Sequence, residues 1–365
     1  MNPGYTVLTD IFNIPDAVYT VEHLLHGHIN KTYSISQNGR PVYILQQINT
    51  EIFRNIDQLM ANYSLVTNTI SAFQWPTEVQ LKTPEIIRTG NGALYHTDDQ
   101  DNSWRLLTFI EGAECISIPR NERTSYQGGL AFGAFLMGLS GIDPDLLFTV
   151  LPDFHSLEKR YNEFLIALET NIAGRVSLTA GEIEFARSRR QRMNIIPQKM
   201  ASGEIPVRVV HNDTKLTNII FSECGKAVGI IDLDTVMAGS ALFDFGDAIR
   251  SLANPACEDE TNLSKVRFDI ELFDAFSKGY LESAHPLLRK SETELLPECA
   301  LLLTYIIGLR FLTDFLNGDV YYHTEYPEHN LVRARVQFRF LEQMESHLAE
   351  MHRIIGKNLQ IPAEN

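Results

Sequence analysis

The stretch His211-Asn212-Asp213-Thr214-Lys215-Leu216-Thr217-Asn218 decides the fold, together with Ile231-Asp232-Leu233-Asp234 further along the chain. An apolar run precedes each segment, as expected for a strand that ends at a polar loop. Asp213 offers a carboxylate that can accept or orient the proton of an attacking hydroxyl. Asn218 and Asp232 offer an amide oxygen and a second carboxylate, the ligands that hold magnesium against phosphates. The spacing H-x-D-x(4)-N, followed by a strand ending in Asp, therefore predicts phosphoryl transfer from ATP.

The other polar residues of these segments have more than one interpretation. We predict that His211 is structural, buried and hydrogen-bonded so that the loop keeps its shape. Lys215 either neutralises the transferring phosphoryl group, which would make it catalytic beside Asp213, or is a solvated loop lysine. Asp234 either contacts a second magnesium ion or the substrate, or caps the following loop. Asp244 is predicted to brace the catalytic loop through hydrogen bonds.

Composition narrows the class of protein. A chain of 365 residues is long enough for two domains or two lobes around a cleft. The content of 44% hydrophobic and 21% charged residues is typical of a soluble globular protein. A net charge of −15 argues against a nucleic-acid partner, which requires a basic face. The same charge fits a cationic substrate, although general surface acidity explains it equally well.

The sequence predicts a cytoplasmic protein without membrane association. Its four cysteines are scattered and form no C-x-x-C pair, which indicates reduced thiols. Residues 1–10 lack the basic patch and apolar core of a secretion signal. The longest apolar run, residues 299–309, is too short to span a membrane.

Residues 1–111 read as a small β-rich lobe that binds the nucleotide. Its predicted elements are strands at 33–36, 41–47 and 104–110, a helix at 51–73, and hairpin turns at Asn38-Gly39 and at residues 89–92. We place the hinge between lobes at residues 109–112.

Residues 112–365 read as a larger helical lobe that carries the catalytic loop, the metal site and the substrate site. Its predicted helices span residues 124–139, 155–170, 181–200, 268–283, 295–316 and 331–355. The predicted fold class is thus α+β, a two-lobed protein-kinase-like fold with the nucleotide in the cleft between lobes.

Six segments carry a resemblance that covers nearly the whole chain. They are HGHINKTY at residues 26–33, YILQQIN at 43–49, HNDTKLTN at 211–218, IDLDT at 231–235, LFDFGD at 242–247 and YPEHNLVR at 326–333. The chain resembles the aminoglycoside phosphotransferase and choline kinase superfamily, and more narrowly the bacterial N-acetylhexosamine 1-kinases. The resemblance implies ATP and magnesium as cofactors, Asp213 as catalytic base, and Asn218 and Asp232 as magnesium ligands.

The predicted nucleotide site lacks an ion pair that protein kinases use. They place a lysine on the third strand and pair it with a glutamate on the next helix. Here the strand at 42–47 has Gln46 and Gln47, and the helix has no glutamate after Glu51. Magnesium, backbone amides of the 27–32 turn and Lys31 are then expected to meet the phosphate charge. The predicted nucleotide contacts are Gly27, His28, Ile29, Asn30, Lys31, Thr32, Gln46, Phe109 and Ile110.

The substrate site is predicted on the helix at 295–316 and the loop after it. Arg310 and Asp314 are four residues apart, hence on one face, and form either a structural ion pair or a pair aimed at sugar hydroxyls. Tyr321 and Tyr322 either stack on a sugar ring or cover the core. With Asp213, these four residues are the predicted substrate contacts.

The resulting hypothesis is an anomeric sugar kinase that converts ATP and an N-acetylhexosamine into the sugar 1-phosphate and ADP. One alternative is a kinase for an aminoglycoside, choline or homoserine; another is a nucleotide-binding pseudokinase. The expected partners are the sugar and ATP, and the expected assembly is a monomer or weak homodimer. The sequence does not fix the choice between N-acetylglucosamine and N-acetylgalactosamine.

Overall fold

The computed structural model describes residues 6–24, 29–75, 79–111, 113–116 and 121–360. Its strands are β1 (Tyr19–Leu24), β2 (Lys31–Gln37), β3 (Arg40–Ile48), β4 (Ile86–Ile87), β5 (His96–Thr97), β6 (Ser103–Thr108), β7 (Ala113–Cys115), β8 (Arg208–Val210), β9 (Ile219–Ser222), β10 (Ala227–Ile230) and β11 (Met237–Gly239). Its α-helices are α1 (Thr6–Ile11), α2 (Ile56–Ala72), α3 (Glu122–Leu139), α4 (Leu157–Thr170), α5 (Ala180–Arg189), α6 (Ile195–Ala201), α7 (Ala241–Leu252), α8 (Ile270–Ala284), α9 (Lys290–Thr293), α10 (Leu296–Asn317) and α11 (His329–Asn358).

The N-terminal region is an antiparallel sheet in the order β1-β2-β3-β6-β4, with β5 also paired to β6. Asn38 and Gly39 join β2 to β3 with φ values of 52° and 75°, the left-handed pair that a two-residue hairpin needs. The predicted β2–β3 hairpin is thus confirmed. Strand β1 was not predicted; it is antiparallel to β2, with Leu24 opposite Thr32.

Two sequence predictions in this region are wrong. The turn at residues 89–92 exists, with Thr89 donating its N–H to Ala93 O at 3.0 Å. However, β4 and β5 on either side of it do not form a hairpin, because both lie end to end along the same edge of β6. Helix α2 begins at Ile56 and not at residue 51, since the Asn55 side chain caps it by accepting the N–H of Gln58.

The C-terminal region is predominantly helical, and its helices α3 and α8 pack with their backbones in contact. A Cβ atom on Gly129 would lie 2.1 Å from Phe276 O, and one on Gly279 would lie 2.2 Å from Tyr126 O. Small three- and two-stranded sheets, β10-β9-β7 and β11-β8, lie among the helices and carry the polar loops. The fold class is confirmed: a mixed α+β protein with a β-sheet N-terminal region and a larger helical C-terminal region.

Helix boundaries in this region differ from the predicted ones for local reasons. The predicted helix at 181–200 is divided into α5 and α6, with Pro197 in the first turn of α6, where its missing N–H costs little. Helix α7, which begins after the N-cap Ser240, was not predicted. The hinge at 109–112 stays a prediction, and Gly112 lies outside the described residues.

Helix α10 is longer than the apolar run seen in the sequence. Among the described residues it is one helix that is long and apolar enough to cross a membrane, by length and composition only. Inside the protein 89% of its 18-residue apolar window is buried. It therefore forms the centre of the helical core, packed against α4, α7 and α11.

Candidate active site

Two short strand pairs bring the motif segments together. Strand β8 leads into His211, while β9 and β10 form a hairpin whose far end holds the Ile231 N–H against Asn218 O at 2.9 Å. Asp232 follows directly and adopts a left-handed φ of 61°. The structure thus places Asp232 beside Asn218, although fourteen positions separate them in the sequence.

Asp213 lies at the centre of a polar cluster. Its Oδ2 is 3.1 Å from Lys215 Nζ and accepts a hydrogen bond from Asn218 Nδ2 at 3.1 Å. Burial opposes ionisation of Asp213, but the charge of Lys215 and these hydrogen bonds outweigh it and lower the pKa of the carboxyl. The pKa of Lys215 is raised because Asp213 is so close. Asp213 is therefore an anion at neutral pH and can accept a hydrogen bond from a hydroxyl.

The loop that carries Asp213 is braced from two sides. His211 Nε2 donates to Ile231 O at 3.1 Å, and its Nδ1 accepts the Asp213 N–H at 3.3 Å, so these contacts require the Nε2–H tautomer. The Asp244 carboxylate accepts the N–H groups of His211 and Asn212 at 2.9 and 2.7 Å. Burial raises the pKa of Asp244 to about 6. Both residues are structural, as the sequence predicted.

Asn218 and Asp232 fit the chemistry of a divalent cation. Asn218 uses Nδ2 as a donor to Asp213, and no hydrogen bond among the described residues engages its Oδ1, which can therefore act as a ligand. Asp232 is exposed and has no hydrogen bond or ion pair within the described part of the chain. Loss of hydration next to the surrounding protein, together with the negative charges of Asp213 and Asp234, raises the pKa of Asp232 to about 7. No group of three or more His, Cys, Asp or Glu side chains forms a metal cage among the described residues. Magnesium in phosphoryl transfer takes few protein ligands and completes its shell with phosphates.

Asp234 is held by other protein groups. Its Oδ1 and Oδ2 accept Arg105 Nη1 and Nη2 at 2.5 and 2.8 Å, and Oδ2 also accepts Asn30 Nδ2 at 2.7 Å. The Arg105 and Asp234 side chains are only 1% and 2% exposed. Both oxygens of this predicted metal ligand are therefore engaged, whereas those of Asp232 are open.

Sequence reasoning missed Arg105. It stands directly opposite Gln46 in the β3–β6 ladder, and its Nε donates to Gln46 Oε1 at 2.9 Å. Its guanidinium also lies 4.8 Å from the centre of the Tyr63 ring. The available signal was a lone arginine on the buried face of strand Trp104-Arg105-Leu106-Leu107. β3 has no lysine, and the buried cation of this site lies on the neighbouring strand β6.

The structure separates the predicted nucleotide contacts into three groups. Gly27 and His28 lie outside the described residues. Asn30, Thr32 and Gln46 bind other protein groups, since Gln46 Nε2 donates to Thr32 Oγ1 at 3.1 Å and Asn30 binds Asp234.

The third group consists of Ile29, Lys31, Phe109 and Ile110. Ile29 and Lys31 are exposed at the start of β2. Phe109 donates its N–H to Val42 O at 3.1 Å, and Ile110 is buried. Direct contact of these nine residues with a nucleotide stays a prediction.

The expected ion pair between Arg310 and Asp314 is wrong. Among the ion pairs of the described residues none joins the two. Asp314 lies near the end of α10, where it accepts the backbone N–H groups of Val320, Tyr321 and Tyr322 at 2.9 to 3.0 Å. Asn330 Nδ2 donates to the same carboxylate at 2.9 Å. Helical spacing placed both residues on one face, but the following loop offers Asp314 better donors.

Arg310 lies within a cluster of aromatic rings. Its guanidinium carbon is 5.8 Å from the ring centre of Phe154, 5.7 Å from that of Tyr321 and 5.5 Å from that of Tyr322. The cluster extends to the catalytic loop, because the Phe154 ring is 4.6 Å from the His155 ring and His155 Nε2 donates to Asn212 O at 2.9 Å. Phe154 and His155 therefore connect the Arg310 cluster to the loop that carries Asp213, while direct contact of the predicted residues with a substrate stays a prediction.

His155 supports the catalytic loop and predicts a pH dependence of stability. Burial lowers its pKa to about 4, so it is neutral when folded. Between about pH 6.5 and 4 the unfolded chain binds the extra proton, and stability falls as pH falls. When the pH is lowered from about 7 to 5, the free energy of unfolding of the wild type should fall by about 1–2 kcal/mol more than that of His155→Gln, which keeps a donor to Asn212 O. Urea unfolding at both pH values measures the difference, and an equal loss in both proteins would contradict the assignment.

Two small cavities lie away from this cluster. Arg192, Ile196 and Leu301 line one, and Leu139 and Val209 line the other. Neither includes a group of the catalytic loop. The groups that mark the candidate active site are the anionic Asp213, the exposed Asp232 and the aromatic cluster around Arg310.

The fold and these groups define a kinase-like phosphotransferase. Residues 20–290 match the profile of the phosphotransferase enzyme family (APH), and the chain belongs to this family. Solved structures with the same fold include a microcompartment-associated aminopropanol kinase, at 14% identity, covering 95% of this chain and 97% of that one, with a TM-score of 0.66. Choline kinase from Cryptosporidium parvum matches at 15% identity, 95% and 94% coverage and a TM-score of 0.56. An aminoglycoside phosphotransferase solved with streptomycin and ATP matches at 15% identity, 91% and 93% coverage and a TM-score of 0.51.

Proposed function

We propose that this phosphotransferase is an ATP- and magnesium-dependent kinase for the C1 hydroxyl of N-acetylhexosamines. The six segments that resemble N-acetylhexosamine 1-kinases support the choice of acceptor. Intact Asp213, Asn218 and Asp232 count against a pseudokinase, since the carboxylate, amide and metal-binding groups are all present and adjacent.

The observation that carries the choice of a neutral acceptor is the position of Arg310. Aromatic cages recognise quaternary ammonium groups through cation–π attraction. Here Phe154, Tyr321 and Tyr322 surround the protein's own guanidinium. An incoming ammonium group would meet a like charge, whereas sugar hydroxyl and carbonyl oxygens can accept hydrogen bonds from Arg310.

Two buried acceptor atoms near the catalytic loop support an acceptor rich in hydroxyl groups. His155 Nδ1 and Asp247 Oδ2 have no hydrogen-bond partner among the described residues. Asp247 stands one helical turn after Phe243 on α7, and the Phe243 ring is 5.2 Å from the His155 ring. Buried acceptors without donors are costly, and donors from a polyol or water satisfy them.

The residues give a simple mechanism. The C1 hydroxyl attacks the γ-phosphorus in line, its proton passes to Asp213, and ADP leaves as the phosphoryl group joins the sugar oxygen. Magnesium, when bound, neutralises phosphate charge. Asn218 and Lys215 fix the Asp213 carboxylate, and Lys215 places a positive charge next to the attacking oxygen. Asp244 keeps the loop in place through two backbone N–H groups.

Arg310→Lys is expected to raise the KM for the sugar by about tenfold or more and to change the KM for ATP by less than about threefold. Lysine keeps the charge but loses the planar fork that stacks on rings and binds two oxygens. Steady-state kinetics for both substrates measure the effect. Arg190→Lys is a matched control, because Arg190 stacks on Tyr161 at 5.1 Å outside this cluster. An unchanged sugar KM with a lowered melting temperature would assign Arg310 a structural role.

The experiment that tests the function is an ADP-release screen over free sugars, aminoglycosides, choline and homoserine, with NMR of the product to locate the phosphate. The net charge of −15 gives the amino-alcohol alternative its support. Turnover of a free N-acetylhexosamine with phosphate on C1 is the expected result. Turnover restricted to amino alcohols would replace the proposal with that alternative.

We also place the protein in the cytoplasm as a monomer or weak homodimer. The four free cysteines, three of them exposed, support a reducing compartment. Sedimentation over a range of protein concentrations measures the assembly.

A further inference from the structure

A chain of side-chain hydrogen bonds joins Asn30 and Thr32, at the start of β2, to the metal-binding segment. Thr32 accepts from Gln46, and Gln46 in turn accepts from Arg105. Arg105 binds Asp234 with two nitrogens. Asp234 also accepts from Asn30, which directly precedes β2, and Asn30 Oδ1 accepts the N–H of Asn49 at 3.0 Å.

We propose that Arg105 and Asp234 are positioning residues whose ion pair fixes residues 29–32, at the start of β2, relative to Asp232, and that Asp234 acts through this pair and not as a metal ligand. The proposal rests on the proposed use of a nucleotide, whose phosphates would lie between residues 29–32 and Asp232. It assigns to β6 and the segment after β10 the positioning that a lysine–glutamate pair performs in protein kinases.

The geometry favours this role over an open metal ligand. Both side chains are almost fully buried, and the two-nitrogen contact is the strongest arrangement of an arginine and a carboxylate. Taking Asp234 as a magnesium ligand would remove part of the compensation for the buried Arg105 charge, which is costly. Asp232, two residues earlier, is exposed, and no hydrogen bond among the described residues engages its oxygens.

The pair also spans the two regions of the molecule. Arg105 is 129 residues from Asp234 in the sequence and belongs to the N-terminal sheet, whereas Asp234 follows the hairpin of the C-terminal region. Tyr63 and Met60 of α2 lie against the guanidinium and restrict its rotamers. A shift of either region therefore changes the position of residues 29–32 relative to Asp232.

The test uses Arg105→Lys, Asp234→Asn and the double variant Arg105→Gln/Asp234→Asn in the full chain without sugar. The control is Arg208→Lys, which weakens a comparable two-nitrogen pair with buried Glu292 in the C-terminal region. Three quantities are measured: the melting temperature in EDTA, amide hydrogen exchange at residues 29–32 and 49, and the manganese concentration that half-saturates the protein with a non-hydrolysable ATP analogue.

Both single variants are expected to speed exchange at residues 29–32 and 49 by about tenfold or more, with the control within about threefold of wild type. The manganese concentration that half-saturates the protein with the ATP analogue should differ by less than about threefold between Asp234→Asn and wild type. The double variant should recover part of the melting temperature lost in Asp234→Asn, because that single variant leaves the buried Arg105 charge unpaired and the double variant removes it.

Three results would overturn the inference. They are a tenfold higher manganese requirement in Asp234→Asn with wild-type exchange at residues 29–32, exchange in both single variants no faster than in the control, and a double variant less stable than Asp234→Asn. Failure of wild type to bind the ATP analogue would instead contradict the proposed function, since the exchange and melting measurements need no nucleotide.

Discussion

Replacing Asp213 with asparagine is expected to lower turnover by about a hundredfold or more while nucleotide binding stays roughly intact. The carboxylate is held by Lys215 and Asn218 and is anionic at neutral pH, so it accepts the proton of the attacking hydroxyl. Asparagine keeps the shape but removes the charge. The rate of ADP release and the dissociation constant of an ATP analogue measure the two effects separately.

Asp274→Asn is the matched control for this prediction. Asp274, like Asp213, contacts an asparagine and a lysine, in its case Asn358 and Lys357, but it lies on α8 away from the catalytic loop. Its variant should keep nearly full turnover. If Asp213→Asn kept more than about a third of wild-type turnover, Asp213 would not be the catalytic base.

Asp232→Ala is expected to abolish magnesium-supported activity, because the charge of the phosphates keeps an attacking oxygen away unless a cation neutralises it. Asn218→Ala should be milder in its effect on metal binding, since a neutral amide contributes less than a carboxylate. It should also lower turnover, because Asn218 donates to Asp213. Titration of activity with magnesium measures both variants.

Full activity of Asp232→Ala in magnesium would remove Asp232 from the metal site. Equal losses of metal affinity in the two variants would overturn only their ranking. Asp259→Ala is the control, because Asp259 is also an exposed aspartate but contacts His329 and takes no part in the catalytic loop.

The catalytic loop could be predicted from sequence because its geometry is local. His211, Asp213 and Asn218 lie in one short segment and contact one another or the adjoining strand. Asp232 follows a hairpin that begins at Asn218, so its position is also set over a short distance. Spacing alone is informative when the chain has few ways to connect the residues.

Arg105 and Asp234 could not be paired from sequence because their contact depends on how two regions of the molecule meet. The sequence pattern around Arg105 does not indicate that its partner is Asp234, which is 129 residues away. The Arg310–Asp314 expectation failed for a related reason. Periodicity gives the face of a helix, but the loop at residues 318–322 and Asn330 of α11 determine which donors reach Asp314.

Helix α7 was not predicted because its segment, Ala241–Leu252, contains three charged residues within an apolar pattern. The Asp244 carboxylate accepts from the catalytic loop, and Asp247 Oδ1 accepts from Arg250 Nε at 2.9 Å. Both carboxylates therefore have a donor inside the fold. A buried helix with paired charges does not show the polar outer face by which helices are usually recognised.

The carboxylate of Asp314 has a thermodynamic consequence for ligand binding. It holds three successive backbone N–H groups of the loop that carries Tyr321 and Tyr322, and Arg175 and Asn330 hold Asp319 in the same loop. The loop is therefore ordered before any acceptor arrives, and binding need not restrict it further. Calorimetry of acceptor binding should show a small entropic penalty from the protein, and Asp314→Ala should enlarge that penalty while the contacts made by the bound acceptor stay the same.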